Sequence, residues 1–158
     1  MTDGPSSSVA AKPIRLIVRR LIRATPERLF RAWTAPDQLL QWWGPEGVVC
    51  TQADVDLRVG GRYRIANQMP NKETIWIFGE FEAIDYPFGL TYTWCIGSEH
   101  APPERVRVRF SPVSSMTEVV VEHENIATAA TRQLHEQGWI GCLSGLDEYV
   151  CAEDAAAL

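Results

Sequence analysis

The C-terminal third of the chain holds the one long helical pattern in the sequence, and this pattern limits the architecture most. Apolar residues recur there three and four positions apart, at Trp139, Cys142, Leu143, Leu146, Tyr149 and Val150. The spacing predicts an amphipathic helix that begins near Thr128 or Ala129 and ends near Cys151. Three glycines interrupt it, at Gly138, Gly141 and Gly145. Each weakens a helix by about 1 kcal/mol relative to alanine. They either allow a close approach to a sheet or leave room beside the helix.

The chain before this helix consists mostly of strand patterns. Alternating or β-rich segments occupy 14–22, 51–59, 62–67, 73–84, 90–96, 105–110 and 116–123. Two short helices follow the first segment. Thr25 can cap the first with Pro26 at its first position, and Ala35-Pro36-Asp37 opens the second. This order predicts an α+β domain in which a curved antiparallel sheet of six or seven strands wraps around the C-terminal helix.

Length and charge narrow the classes of protein further. The 158 residues suit one domain over 14–151, with a flexible tail at 1–13 and a frayed end at 152–158. A net charge of −5 argues against a general nucleic-acid partner. No apolar run reaches the ~20 residues of a membrane span, and the N-terminus lacks the features of a signal peptide. Four cysteines without a C-x-x-C pair indicate reduced thiols, so we expect a cytoplasmic protein.

Two of these segments, 105–110 and 116–123, read as a hairpin around residues 111–115. A register with Arg109 opposite Glu118 also places Arg105 opposite Glu122. Valines then meet on the other face, in the pairs Val108–Val119 and Val106–Val121. Charges pair on one face and valines on the other, which predicts a solvated outer face and an apolar inner face.

Searches for catalytic and metal-binding motifs fail. "HEQGW" and "HENIA" begin like a zinc-protease helix, but the second histidine of H-E-x-x-H is missing from both. The histidines His100, His123 and His135 have no metal-ligand spacing. No phosphate-binding or dinucleotide-binding loop is present. We therefore predict no metal and no cofactor, and no catalytic residue is assigned.

Aromatic residues are the most informative remaining feature. Many amphipathic rings, together with helix glycines, favour a ligand cavity over a solid core. The candidates for the cavity wall are Tyr63, Trp76, Trp94, Phe110, His123, Trp139 and Leu143. In "LLQWWGPEGVV", Trp43 shares a helix face with Leu39 and Leu40. We expect Trp43 to pin the helix to the sheet, and Trp42 to point over the cavity mouth or into solvent.

Several segments together resemble a known family. They are "ATPERLFRAWTAPDQLLQWWGPEG", "DVDLRVGGRYR", "GEFEAID", "LTYTW" and "HEQGWIGCLSGLDEYV". The combination resembles bacterial homologues of the C-terminal domain of the heat-shock-protein-90 ATPase activator, within the START-like (SRPBCC) superfamily. The resemblance implies a helix-grip fold with a pocket between sheet and helix, and a stress-response role. The activator's chaperone contacts also depend on a separate N-terminal domain, for which this chain has no room.

Three functions compete at this point. The first, which we favour, is non-enzymatic binding of a small apolar or lipid-like ligand between sheet and helix. The second is a cyclase-like enzyme with His123, Glu80 or Glu122 as acid or base, although the proposed register places Glu122 outside. The third is an interaction module that assists a chaperone. The sequence leaves the ligand and the oligomeric state open.

Overall fold

A computed structural model describes residues 13–97 and 102–157, without the side chains of 154–157. The elements are β1 Ile14–Ile22, α1 Pro26–Thr34, α2 Pro36–Trp42, β2 Val49–Val55, β3 Arg62–Gln68, β4 Thr74–Asp85, β5 Gly89–Ile96, β6 Glu104–Val113, β7 Met116–Ile126 and α3 Ala129–Ala157. Residues 1–12 of the predicted tail and His100 lie outside the described residues. None of the described helices has the length and hydropathy needed to cross a bilayer.

The seven strands form one antiparallel sheet in the order β1-β7-β6-β5-β4-β3-β2. Neighbours in the chain are neighbours in the sheet, except that β1 pairs with β7. One long amphipathic helix, α3, covers the concave face, so the predicted helix-grip architecture is confirmed. The N-terminus of α1 also follows the sequence signals. The Thr25 hydroxyl accepts a hydrogen bond from Arg28 N at 3.1 Å, and Pro26 is the first helical residue.

The predicted β6–β7 register was wrong by two residues. Arg105 pairs with Glu124 and Arg107 with Glu122, while Val106 lies opposite His123. The strands continue to a tight turn with Ser114 at φ 57°, which is shorter than the loop predicted at 111–115. Because the error is an even number of residues, every side chain keeps its predicted face.

The largest differences from the predicted element boundaries are at the ends of α3 and β2. The helix α3 continues to Ala157, about one and a half turns beyond the predicted end near Cys151. Its last residues are largely alanine, the strongest helix former, so the helix can continue without tertiary contacts. The strand β2 ends at Val55 rather than at 59, because the chain already turns at Asp56, whose N–H donates to Arg62 O at 2.9 Å.

The expectation for the double tryptophan was half wrong. Trp43 is buried as predicted, with 6% exposure, but Trp42 is equally buried at 5%, and Leu40 is exposed. The helix α2 ends at Trp42, and Trp43 has extended backbone with φ −67° and ψ 135°. The change of backbone conformation between the two residues turns both rings into the core, which no single helix or strand could do.

The three glycines of α3 divide into two kinds. A Cβ at Gly141 would lie 2.7 Å from Cβ of Pro45, and one at Gly145 would lie 3.3 Å from Trp42 O. These two glycines therefore allow α3 to pack closely against the end of α2 and the segment that follows it, and not against the sheet. A Cβ at Gly138 would meet nothing within 4 Å. Gly138 is thus a place where the helix leaves space.

Candidate functional site: a cleft between helix and sheet

An apolar cleft of about 440 Å³ lies between α3 and the strands β3, β4 and β5. Its wall contains Trp43, Pro45, Val48, Asn67, Met69, Ile75, Ile77, Trp94, Ile96, Thr131, Leu134, His135, Gly138, Trp139 and Cys142. The sheet supplies one side, α3 the other, and the segment after α2 closes one end. Gly138 lies on the wall, so the space left by its missing side chain belongs to this cleft.

A depression of similar size, about 450 Å³, lies on the outer face of the sheet. Its wall includes Asp54, Arg62, Arg64 and Trp76. Arg64 Nε lies 2.8 Å from Asp54 Oδ2, and its guanidinium carbon is 4.9 Å from the centroid of the Trp76 ring. Neighbouring side chains thus already engage Arg64, and the wall is more polar than that of the helix–sheet cleft. The helix–sheet cleft fits the mostly apolar character of ligand sites better.

The seven predicted wall residues fall into four places. Trp94 and Trp139 line the cleft. His123 is fully buried beside them, and Phe110 and Leu143 belong to the core. Tyr63 is also buried, and its hydroxyl donates to Thr93 O at 2.6 Å. Trp76 lies on the opposite face of the sheet, because its neighbours Ile75 and Ile77 point into the cleft and strand side chains alternate.

A hydrogen-bond network joins the end of the cleft to the core. Trp139 Nε1 donates to His123 Nδ1 at 3.0 Å, and His123 Nε2 lies 2.7 Å from Glu104 Oε1. An indole N–H can only donate, so His123 Nδ1 accepts and the proton of the neutral ring sits on Nε2. His135 Nε2 reaches the same oxygen of Glu104 at 2.8 Å. The two imidazoles stack with centroids 4.4 Å apart.

The charges of this network follow from burial and hydrogen bonding. Burial lowers the pKa of His123, and the hydrogen bond to Glu104 only partly opposes this. Burial alone would raise the pKa of Glu104. Hydrogen bonds from His123 and His135 outweigh it and bring the pKa of Glu104 down to about 2. Glu104 is therefore ionised and His123 neutral at pH 7.

Among the described residues, Glu104, His123 and His135 form one group with the ligand atoms of a metal site, all within 4.8 Å of one another. A metal on His123 Nε2 needs that nitrogen without its proton, and a proton on Nδ1 instead. Trp139 donates to Nδ1 and so fixes the opposite tautomer. The group therefore fits a network of hydrogen bonds, and His123 could bind a metal only if Trp139 moved.

The network also bears on the enzymatic alternative. The carboxylate of the network is that of Glu104. The two glutamates proposed as acid or base, Glu80 and Glu122, lie on the outer face of the sheet, and Glu122 is 2.8 Å from Arg15. His123 has both ring nitrogens engaged and no exposed surface, so it cannot touch a molecule in the cleft. Cys142 lines the cleft, but burial raises the pKa of its thiol to about 12, which suppresses the nucleophilic thiolate.

Sequence reasoning missed Glu104 and His135. Both could have been found from periodicity. Glu104 precedes Val106 and Val108 on the same strand face, and His135 lies one helical turn before Trp139 on the cleft side of α3. The charge of Glu104 made it look like an outer-face residue, so its place in the alternation of β6 was overlooked. Its contact with His135 was not apparent because the two residues are far apart in the sequence.

A sheet that grips a long helix and leaves an apolar cleft defines the START-like class of folds. The sequence profile of the family described as Activator of Hsp90 ATPase homolog 1-like protein matches residues 23–151. The chain belongs to this family, and the resemblance inferred from the sequence is confirmed. No curated protein matches the chain significantly.

Solved structures of similar proteins share the fold. A Chromobacterium violaceum protein is 25% identical, with a TM-score of 0.79 over 86% of this chain and 96% of its own. An AHSA1 protein from Silicibacter pomeroyi is 23% identical, with a TM-score of 0.79 over 89% and 99%. An HSP90 activator from Plasmodium falciparum is 25% identical, with a TM-score of 0.59 over 73% and 76%.

Proposed function

We propose that this protein binds a small, largely apolar molecule in the cleft between α3 and the sheet. The observation that carries the proposal is the cleft itself. Its volume of about 440 Å³ falls in the range of roughly 300–1,000 Å³ typical of small-molecule sites. Its wall is aromatic and aliphatic, with a few polar groups at Asn67, Thr131 and His135.

The packing of the helix supports a binding role over a packing defect. Gly141 and Gly145 let α3 contact the segment after α2 closely, whereas Gly138 faces open space in the cleft. Alanine or leucine at 138 would favour the helix and fill part of the void, and both effects would add stability. The chain lacks this added stability at Gly138, the one glycine among the residues that line the cleft.

Native mass spectrometry of protein purified from its own host tests the proposal. We expect the wild type to carry a bound small molecule, which extraction and fragmentation then identify. Gly138→Leu fills the cleft and should lose the adduct. Gln137→Leu is the matched control, because Gln137 is exposed on the same helix and outside the cleft wall. Equal retention of the adduct by Gly138→Leu would refute binding in this cleft.

A second candidate function is a role as a chaperone-assisting module in the stress response. The family description and the likeness to an HSP90 activator from Plasmodium falciparum support it. Its test is the ATPase rate of the Hsp90 homologue from the same organism, with and without this protein. A stimulated rate supports the role, and an unchanged rate at saturating protein argues against it.

A further inference from the structure

The polar end of the cleft restricts which apolar molecules can bind, an inference that rests on the proposed function. We infer that the ligand carries a neutral or positively charged hydrogen-bond donor, such as a hydroxyl, a phenol or an amine. Carboxylates, phosphates and sulfates are excluded as head groups. The inference comes from the charges around His135 and from the lack of lysine and arginine among the described residues of the wall.

The wall of the cleft offers an anion no counter-charge. None of its fifteen residues is lysine or arginine, and His135 is its one side chain able to become cationic. A carboxylate or phosphate enters an apolar, low-dielectric site only when a cation or several donors compensate it. Among the described residues of the wall, His135 is therefore the one side chain that could offer an anion a positive charge, and Asn67 and Thr131 add only neutral donors.

His135 already contacts a carboxylate of the protein itself, that of Glu104. Its Nε2 lies 2.8 Å from Glu104 Oε1, and His123 is the other histidine that reaches this carboxylate among the described residues, at 2.7 Å. Trp139 holds His123 in its neutral form by donating to Nδ1. With His123 neutral, the one negative charge of Glu104 faces at most one positive charge, so the cluster of Glu104, His123 and His135 carries no net positive charge at neutral pH.

Neutral and cationic donors are favoured by the same groups. When His135 is neutral and donates from Nε2 to Glu104, its Nδ1 is the nitrogen left to accept a hydrogen bond. Trp43, Trp94 and Trp139 also line the cleft, and the face of an indole ring attracts cations rather than anions. The head group expected beside His135 thus donates a hydrogen bond and carries no negative charge.

Three probes with one chain and different head groups test the inference. Decanol, decylamine and decanoate are titrated into the protein at neutral pH, with intrinsic tryptophan fluorescence as the readout. We expect decanol and decylamine to bind, and decanoate to bind at least about tenfold more weakly than either. Glu104→Gln removes this partly buried charge and should reduce the preference for decylamine over decanoate severalfold. Glu136→Gln is the control, because it removes one charge from α3 outside the cleft wall.

The outcomes separate the two proposals. Equal affinity of the wild type for decanoate and decanol overturns the head-group inference and leaves the binding function standing. Failure of all three probes to bind the wild type counts against both. If Glu104→Gln does not fold, the comparison of the three probes on the wild type still decides.

Discussion

Trp42 and Trp43 contribute to the core through different contacts. Trp42 Nε1 donates to Ala32 O at 2.8 Å and so satisfies a carbonyl at the C-terminal end of α1. Trp43 packs edge-on against Trp139 with centroids 5.7 Å apart, and it also lines the cleft. Trp42 therefore joins α2 to α1, and Trp43 joins the end of α2 to α3.

We predict that Trp42→Ala and Trp43→Ala each lower the free energy of unfolding by about 3–5 kcal/mol, because both remove a buried aromatic ring. Urea denaturation measures the effect. Trp76→Ala, which removes a ring on the outer face that contacts Arg64, is the matched control and should cost about 1 kcal/mol. A cost for Trp42→Ala as small as that of the control would contradict its placement in the core.

His123 makes stability depend on pH. In the unfolded chain it titrates near 6.5, and in the folded protein burial lowers this pKa. Below about pH 6.5 the unfolded state binds a proton that the native state does not. The free energy of unfolding should therefore fall as pH falls, by up to about 1.4 kcal/mol per pH unit for this one group.

His123→Gln isolates this contribution, because glutamine does not titrate. Denaturation at about pH 7.5 and about pH 5.5 should show a smaller loss of stability in His123→Gln than in the wild type. His135→Gln, the control on the partly exposed neighbour, should keep the contribution of His123. An identical pH dependence of His123→Gln and the wild type would mean that His123 is not held neutral.

At the scale of elements, α3 combines close contact and open space on one helix. Gly141→Ala places a Cβ against Pro45 at 2.7 Å and should destabilise the protein by about 1–3 kcal/mol. Gly138→Ala meets nothing within 4 Å and should stabilise it by up to about 1 kcal/mol. Thermal denaturation of the two variants measures both signs. A stabilising Gly141→Ala would contradict the contact between α3 and the segment after α2.

The elements themselves could largely be predicted from the sequence, since period and caps are local signals. Thr25 and Pro26 mark the start of α1, and Ile14–Ile22 is the first strand as predicted. The β6–β7 register failed because it depends on the turn at Ser114, and charge pairing is compatible with more than one even shift. The prediction that Trp42 points away from the core failed because it extended the helical period of α2 to Trp43, which lies beyond the end of the helix.

The site was less predictable, because it depends on which strands face α3. Glu104 and His135 are 31 residues apart, and their contact exists only once β6 and α3 are packed together. Trp76 was grouped with the wall by residue type, although strand parity assigns it to the other face. Aromatic content signals a cavity, and tertiary structure selects the rings that line it.

At the scale of the whole molecule, the sheet encloses α3 tightly near β1 and β7 and loosely near β3, β4 and β5. Arg20 of β1 pairs with Asp147 of α3 at 2.9 Å, at the tight end. The cleft occupies the loose end, with Trp94 on its sheet side and Trp139 on its helix side. Trp94 Nε1 is buried and has no hydrogen-bond partner among the described residues, so its indole N–H is sensitive to any new neighbour.

The most direct test of binding in this cleft is the NMR spectrum of the tryptophan indole N–H groups during a titration with decanol. Single substitutions of the six tryptophans assign the signals. We predict progressive shifts for Trp43, Trp94 and Trp139, which line the cleft, and an unchanged signal for Trp76 on the outer face. Unchanged cleft signals at saturating decanol, or a shift confined to Trp76, would contradict the account.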